Sequence, residues 1–338
     1  MEIDKAFIKE LHKPNVLLFW FDIALCALIG WGAFSFLIYT EYFYFKIIAF
    51  FISAFAIYRG QIFIHEVVHQ RDAVKGLALF YELFFGWPNA YPSYFYDPHL
   101  YHHIPKEYAT VDDPEYKSAT NDSFIKLFIA PIVSAIFLPF ILTIRFGVLP
   151  IFNIFLPRWW KLKVFTHAAT LVVDIMYKRP LKKESELRSM LFNDFMCSLY
   201  RIVVGLLIYF SILPFSVVIY WVLLVSFVSL MNMYRAKMAH YYLGDGKSFS
   251  KTGQLLDSVT IEGNFFTELW APLFLRYHAG HHLYPQMPYH SLQKLHRYLT
   301  SEEMKNHPYN QTVFKSFFAA AKYFINIDTE TERKRVYI

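Results

Sequence analysis

The chain has 338 residues, enough for two ordinary soluble domains, but 56% are hydrophobic, 20% aromatic and only 18% charged, with Phe 36 and Tyr 25. That leaves too little polar surface to cover two globules, and it excludes disorder, collagen-like repeats and a secreted disulfide scaffold. In an integral membrane protein the net charge of +6 reads as cytoplasmic loops rich in Lys and Arg, with no nucleic-acid partner.

Residues 1–15 mix Glu2, Asp4, Lys5, Lys9, Glu10 and Lys13, unlike the basic start and short apolar core of a cleaved signal peptide. Val16 to Tyr39 carries one charge, Asp22. At about 1.5 Å per residue it is long enough to cross a hydrocarbon core of about 30 Å. After Thr40 and Glu41, Tyr42 to Ile64 crosses back, interrupted by Lys46 and Arg59. Two helices joined so tightly form a hairpin whose outer ends lie on one side. Cys26 and Cys197 fall in or beside apolar stretches and are expected to be inert core thiols.

Phe124 to Leu149 is apolar too, but holds Lys126, Pro131, Pro139 and Arg145. Between Pro157 and Ser198, eight basic residues (Arg158, Lys161, Lys163, Lys178, Arg179, Lys182, Lys183, Arg188) stand against four acids. The positive-inside rule puts that loop in the cytoplasm. The segment before it then crosses an even number of times and is expected to be re-entrant, interfacial or a tight hairpin, with a single crossing as the alternative.

Ile202 to Tyr234 has no charged residue over 33 positions. One straight helix would span about 50 Å, more than the hydrocarbon needs, and Pro214 near the middle predicts a second hairpin of two short or tilted crossings. From Arg235 the chain turns polar. The expected architecture is an all-α integral membrane protein with two transmembrane hairpins (about four crossings), a re-entrant or interfacial segment and a cytoplasmic helical cap. It divides into an N-terminal cytoplasmic segment (1–15), a membrane domain (16–300) and a cytoplasmic tail (301–338) forming a soluble helical extension.

Eight of the 14 histidines fall into three groups. In His65-Glu66-Val67-Val68-His69 the i, i+4 spacing puts both imidazoles on one helix face, able to grip one metal. In His99-Leu100-Tyr101-His102-His103 and His278-Ala279-Gly280-His281-His282, the i and i+3 rings are expected to share a face. The adjacent pair diverges, which suits a bridge toward two metal ions. All three groups, and His240 beyond the second hairpin, emerge at the same membrane face. Eight or nine imidazoles exceed one tetrahedral zinc and match two octahedral, nitrogen-rich irons. His290 and His296 are expected to cap or pack, and His12, His167 and His307 carry no expected role.

The boxes HEVVH, HLYHH and HAGHH, separated by paired crossings, resemble those of the membrane fatty acid desaturase and hydroxylase superfamily. The run Leu275-Arg276-Tyr277-His278-Ala279-Gly280-His281-His282-Leu283-Tyr284-Pro285, with Pro288-Tyr289-His290, Leu256-Asp257-Ser258-Val259 and Ala271-Pro272, is especially similar to bacterial-type acyl desaturases. The resemblance covers roughly residues 40–300. It implies a non-haem di-iron site at the cytoplasmic face with His65, His69, His99, His102, His103, His278, His281 and His282 as box ligands and His240 as a further one. The family's water-linked Asn, four residues before that extra histidine, is Ala236 here; Asn232 and Asn264 are the substitutes to test. Glu66, Asp72, Asp97, Asp257 and Glu262 are candidate acceptors for imidazole N–H groups.

The resemblance further implies two iron ions with O2 as co-substrate, a lipid or acyl-chain substrate in the bilayer, and hydrogen abstraction from a methylene. A second abstraction gives a double bond and oxygen transfer gives an alcohol; a desaturase is the leading expectation, with a hydroxylase or ketolase as the alternative. No haem motif or cysteine pair is present, so a separate electron donor (a ferredoxin, cytochrome b5 or similar) is expected. The basic loop from Arg158 to Arg188 reads first as a topology signal and second as a donor dock. The aromatics Trp87, Tyr91, Tyr94, Phe95, Tyr96 and Trp270 read either as an acyl tunnel or as an interfacial belt. HEVVH also satisfies the HExxH pattern of an intramembrane zinc protease with Glu66 as base. That reading leaves both HxxHH groups unexplained, and a divalent-metal transporter would place its ligands within the crossings near the midplane, whereas these histidines sit at helix ends.

Overall fold

A computed structural model describes residues 3–116, 125–153, 155–170, 177–181 and 183–337. Glu2, Phe124, Lys182 and Ile338, which figure in the expectations above, lie outside them. Five helices are long and apolar enough to cross a membrane among the described residues: α1 (Val16–Tyr39), α2 (Phe43–Gln70), α3 (Ala130–Asn153), α4 (Glu184–Tyr209) and α5 (Ser216–Lys237). The remaining chain forms short helices and one two-stranded parallel sheet, Thr260–Ile261 with Val313–Phe314.

Asp22, Arg59 and Arg145, charges inside the apolar runs, find partners, as burial demands. Arg59 Nε donates to Asp22 Oδ1 at 2.8 Å across the α1–α2 hairpin. Arg145 Nη1 donates to Asp194 Oδ2 at 2.7 Å between α3 and α4. Ser53 Oγ donates to the Gly30 carbonyl at 2.9 Å, where α1 and α2 approach closely. Cys26 and Cys197 are free and buried.

One segment narrows the expectation and another departs from it. Residues 130–153 form one continuous helix, which removes the tight hairpin and leaves the re-entrant, interfacial and single-crossing forms, because Pro139 is accommodated inside it rather than ending it. The second hairpin is longer than the charge-free run: α4 begins at Glu184, within the basic loop. Its first turns are amphipathic, burying Leu187 and Met190 while Glu184 and Arg188 stay exposed, so a charge count places the boundary too late. The break falls between Tyr209 and Ser216, where Ser211 takes φ 59°.

The helix ends carrying histidines gather under a polar cap. Ile8 and Leu11 pack with Leu292 and Leu295, and Asn15 N donates to His290 Nε2 at 2.9 Å, so the N-terminal segment lies against the cap. The tail is not a loose extension. Its strand pairs with residues 260–261, and Ala320, Ala321 and Val336 join Leu256 and Val259 in one apolar cluster.

Candidate metal centre

α2 delivers His65 and His69 one turn apart, both buried. The short helix His99–His102 and the following His103 come next. Helix His278–Leu283 delivers the last three rings. Gln254 Nε2 donates to the His102 carbonyl at 2.8 Å, and Asp257 Oδ1 accepts from Leu243 N at 3.0 Å, which fixes the chain around His240.

The nine expected ligands converge on two adjacent points. His65, His69, His99 and His281 form one group, and His102, His240, His278 and His282 the other. His103 joins the first, its Nε2 lying 2.9 Å from that of His99 and 3.0 Å from that of His281. The adjacent pairs 102/103 and 281/282 do diverge toward different groups. The expected i, i+3 sharing does not occur: His99 and His103, and His278 and His282, share a centre at i, i+4, and the ring between them turns to the other. At about 100° per residue, i+4 returns to within about 40° of the starting direction and i+3 only to within about 60°.

These contacts are unsuited to bare imidazoles. His240 Nε2 faces His278 Nε2 at 2.8 Å and His102 Nε2 at 3.0 Å, and His282 Nε2 faces His278 Nε2 at 3.1 Å. His281 Nε2 faces both His65 and His103, at 2.9 and 3.0 Å. One proton cannot serve two such contacts. Asp113 accepts at His102 Nδ1 (2.9 Å to both oxygens), which assigns the proton to Nδ1 and turns the Nε2 lone pair inward. Nitrogens about 2.1 Å from a shared metal lie about 3.0 Å apart at octahedral angles and about 3.4 Å at tetrahedral ones. The observed spacing fits the former. Both ring nitrogens of His69, and Nδ1 of His103, His278, His281 and His282, are buried without a partner.

Burial first, and neighbouring rings second, hold His99, His103, His281 and His282 well below the ordinary histidine range. Burial likewise depresses His240 and His278, keeping the rings neutral as metal ligation requires. At His102 the same burial is outweighed by the charge of Asp113, and its pKa is raised. Burial also pushes Glu115 up to about 7 and Asp257 up to about 6; a multivalent cation nearby is what returns such carboxyls to the ionised form.

Of the expected N–H acceptors, Glu66 bonds His65 Nδ1 at 3.1 Å. Asp257 reaches His240 through Tyr108, whose hydroxyl lies 2.8 Å from His240 Nδ1 and 2.7 Å from Asp257 Oδ2. Asp97 instead pairs with Arg71, Glu262 with Lys315, and Asp72 is exposed. Glu115, 2.7 Å from His99 Nδ1, Asp113 and Tyr108 were missed. The signal for the two carboxylates was the acidic run Asp112-Asp113-Pro114-Glu115, which starts nine residues after the second box. Asn264 caps a turn at Phe266 N. His290 binds Asn15, and His296 Nδ1 meets Tyr309 OH at 2.8 Å.

Beside His65 lies a cavity of about 70 Å³ lined by Tyr58, Ile62, Tyr91, Tyr96, Leu138 and Val225 among others. Trp87 and Tyr94 are tied to Asn193 and Asp194 instead. The Trp270 carbonyl accepts from Tyr58, and Phe95 packs on Phe146.

Membrane-length helices that close two buried histidine groups beside an apolar cavity define a helical membrane protein with sites able to hold metal. The family model "Fatty acid desaturase" matches residues 42–314, and the chain belongs to that family. It is 30% identical over 297 residues to a ceramide hydroxylase of Caulobacter vibrioides, covering 86% of this chain and 83% of that protein. The chain is thus an oxidoreductase of the desaturase and hydroxylase class.

Proposed function

We propose that the protein holds two irons in the paired histidine groups and uses O2 to hydroxylate a methylene of a long-chain amide lipid of the ceramide type. The observation that carries this reading is the convergence of nine imidazoles on two adjacent points at the mouth of an apolar cavity. When bound, the irons supply O2 activation, with the balance RH + O2 + two electrons + two protons giving ROH and water. The chain's residues do the rest. Glu66, Asp113, Glu115 and Tyr108 orient the rings. Ile62, Leu138, Leu142, Val225, Val228 and Leu275 seat the hydrocarbon and exclude water. The named relative moves the balance from the desaturation favoured by the boxes alone to hydroxylation; the family match supports desaturation as the second reading. In a zinc protease Glu66 would face an open metal position, whereas here its Oε1 is turned back onto His65 Nδ1.

The site faces the cytoplasm in this reading, residues 16–300 form the catalytic unit, and a separate protein donates electrons. Four crossings are supported by two contacts. Tyr234 OH donates to the Phe128 carbonyl at 2.9 Å, placing the start of α3 at the cap end of α5. Arg158, after α3, pairs with Glu184 at 2.7 Å, at the cap end of α4. Both ends of the segment then lie at the cap side, which favours α3 running within that face over a full crossing. Elemental analysis of the detergent-purified protein, with mass spectrometry of host lipids, tests the whole. About two irons per chain and lipids gaining one oxygen support it. Loss of two hydrogens selects desaturation, and one zinc without iron overturns it.

A further inference from the structure

Three of the arginines on or beside the long helices are neutralised by carboxylates. Arg59 pairs with Asp22, Arg145 with Asp194 and Arg276 with Glu268. Arg201 donates to the Trp87 and Cys197 carbonyls. Arg235 has no carboxylate within ion-pair distance among the described residues: its Nε donates to Asn232 Oδ1 at 3.0 Å, and Tyr58, Tyr96 and Glu115 stand near enough to favour its charge. It lines the same cavity as His65, together with Gln61, Ser229 and Asn232. A buried guanidinium with no carboxylate in contact is costly unless something supplies further acceptors to its N–H groups, and metal cations in the neighbouring histidine groups would raise that cost.

The cavity is polarised along its length. α2 and α5 both end at the histidine groups, so His65 and Arg235 mark the end near the metal sites. Val225 lies ten residues back from Arg235, about 15 Å deeper, with Leu138 and Leu142 also on the wall. An apolar tail therefore fits the deep end and an oxygen-bearing group fits the end beside His65.

We propose that Arg235, steadied by Asn232, seats an acceptor-only oxygen of the lipid (an amide carbonyl or a carboxylate) and thereby directs oxidation to carbons a few bonds from that group rather than to mid-chain. Arg235 is a specificity-determining residue in this assignment, which rests on the lipid-oxidation reading above. The fork geometry of a guanidinium matches such oxygens in a way that a lysine ammonium does not.

The test uses full-length, iron-loaded wild type, Arg235→Gln and Arg235→Lys. Binding is read by thermal shift with an N-acyl sphingoid base, a free fatty acid and an n-alkane of equal chain length, and product position by mass spectrometry. In Arg235→Gln, affinity for an oxygen-bearing lipid falls about tenfold or more while alkane binding and iron content hold, and any product spreads along the chain. Arg235→Lys falls between. Loss confined to the sphingoid lipid identifies the amide, and loss confined to the fatty acid identifies the carboxylate. Unchanged binding of both, or an unchanged product position, overturns the assignment. If the variants do not fold, a photoreactive group beside the lipid carbonyl decides on wild type: labelling at 232–235 supports the assignment and labelling elsewhere overturns it. A wild type that oxidises no lipid but binds in this Arg235-dependent way removes the function and leaves the recognition site.

Discussion

Each histidine group has two rings held from behind, and the groups differ in burial and in access to the cavity. In the group of His102, His240, His278 and His282, His102 is held by both oxygens of Asp113, and His240 by Tyr108, itself tied to Asp257. His102 is fully buried. In the group of His65, His69, His99, His103 and His281, Glu66 holds His65 and Glu115 holds His99, but the group is more open. His69 has no partner on either nitrogen, His103 is only half-buried, and His65 opens on the cavity. The difference points to a division of labour: an anchored centre away from the cavity, and a less constrained centre where a substrate carbon arrives.

The largest effect belongs to the ligands. Ala at His102, His103, His281 or His282 is expected to lower activity by more than about 100-fold, beyond the 10–100-fold typical of lost outer partners, while membrane insertion persists. Elemental analysis should show metal loss, and full activity with full metal would remove that histidine from the ligand set. Asp113→Asn sharpens the comparison. It should weaken metal retention by about 10–100-fold, read by chelator competition, and more than Glu115→Gln does; equal losses would erase the proposed asymmetry. Tyr108→Phe should cost less, about tenfold, because Ser258 Oγ stands 3.5 Å from the same His240 nitrogen. Glu66→Gln should leave an oxidase partly active, whereas complete loss with metal retained would revive the protease reading. The smallest change is structural: Gly60→Ala places a methyl against the Phe85 ring. It should destabilise by about 1–3 kcal/mol, measured by thermal melting in detergent with metal content unchanged.

Much of this site was legible in the sequence because its parts are local. Box spacing alone nominated eight of the nine histidines, with His240 added by its place beyond the second hairpin and by the resemblance, and the divergence of His102 from His103 and of His281 from His282 follows from adjacency on a helix. Less local features were not legible. Asp113, Glu115 and Tyr108 lie in an irregular loop, where no periodicity announces which side chain turns inward. The start of α4 was hidden because its first turns bury one face only, and a charge count sees the exposed face. Arg235 read as the first residue of a polar cap; its place in a cavity wall exists only once α5 packs beside α2.

Composition and patterning by themselves determined a membrane chain, its hairpins and the chemistry of its ligands, since hydrocarbon length and helical spacing are properties of contiguous residues. Tertiary structure decided which rings share a centre, which carboxylates hold them and which arginine faces the cavity beside His65. Those outcomes depend on side chains up to 216 positions apart, as His65 and His281 are. Packing of separate helices, not sequence neighbourhood, sets such distances.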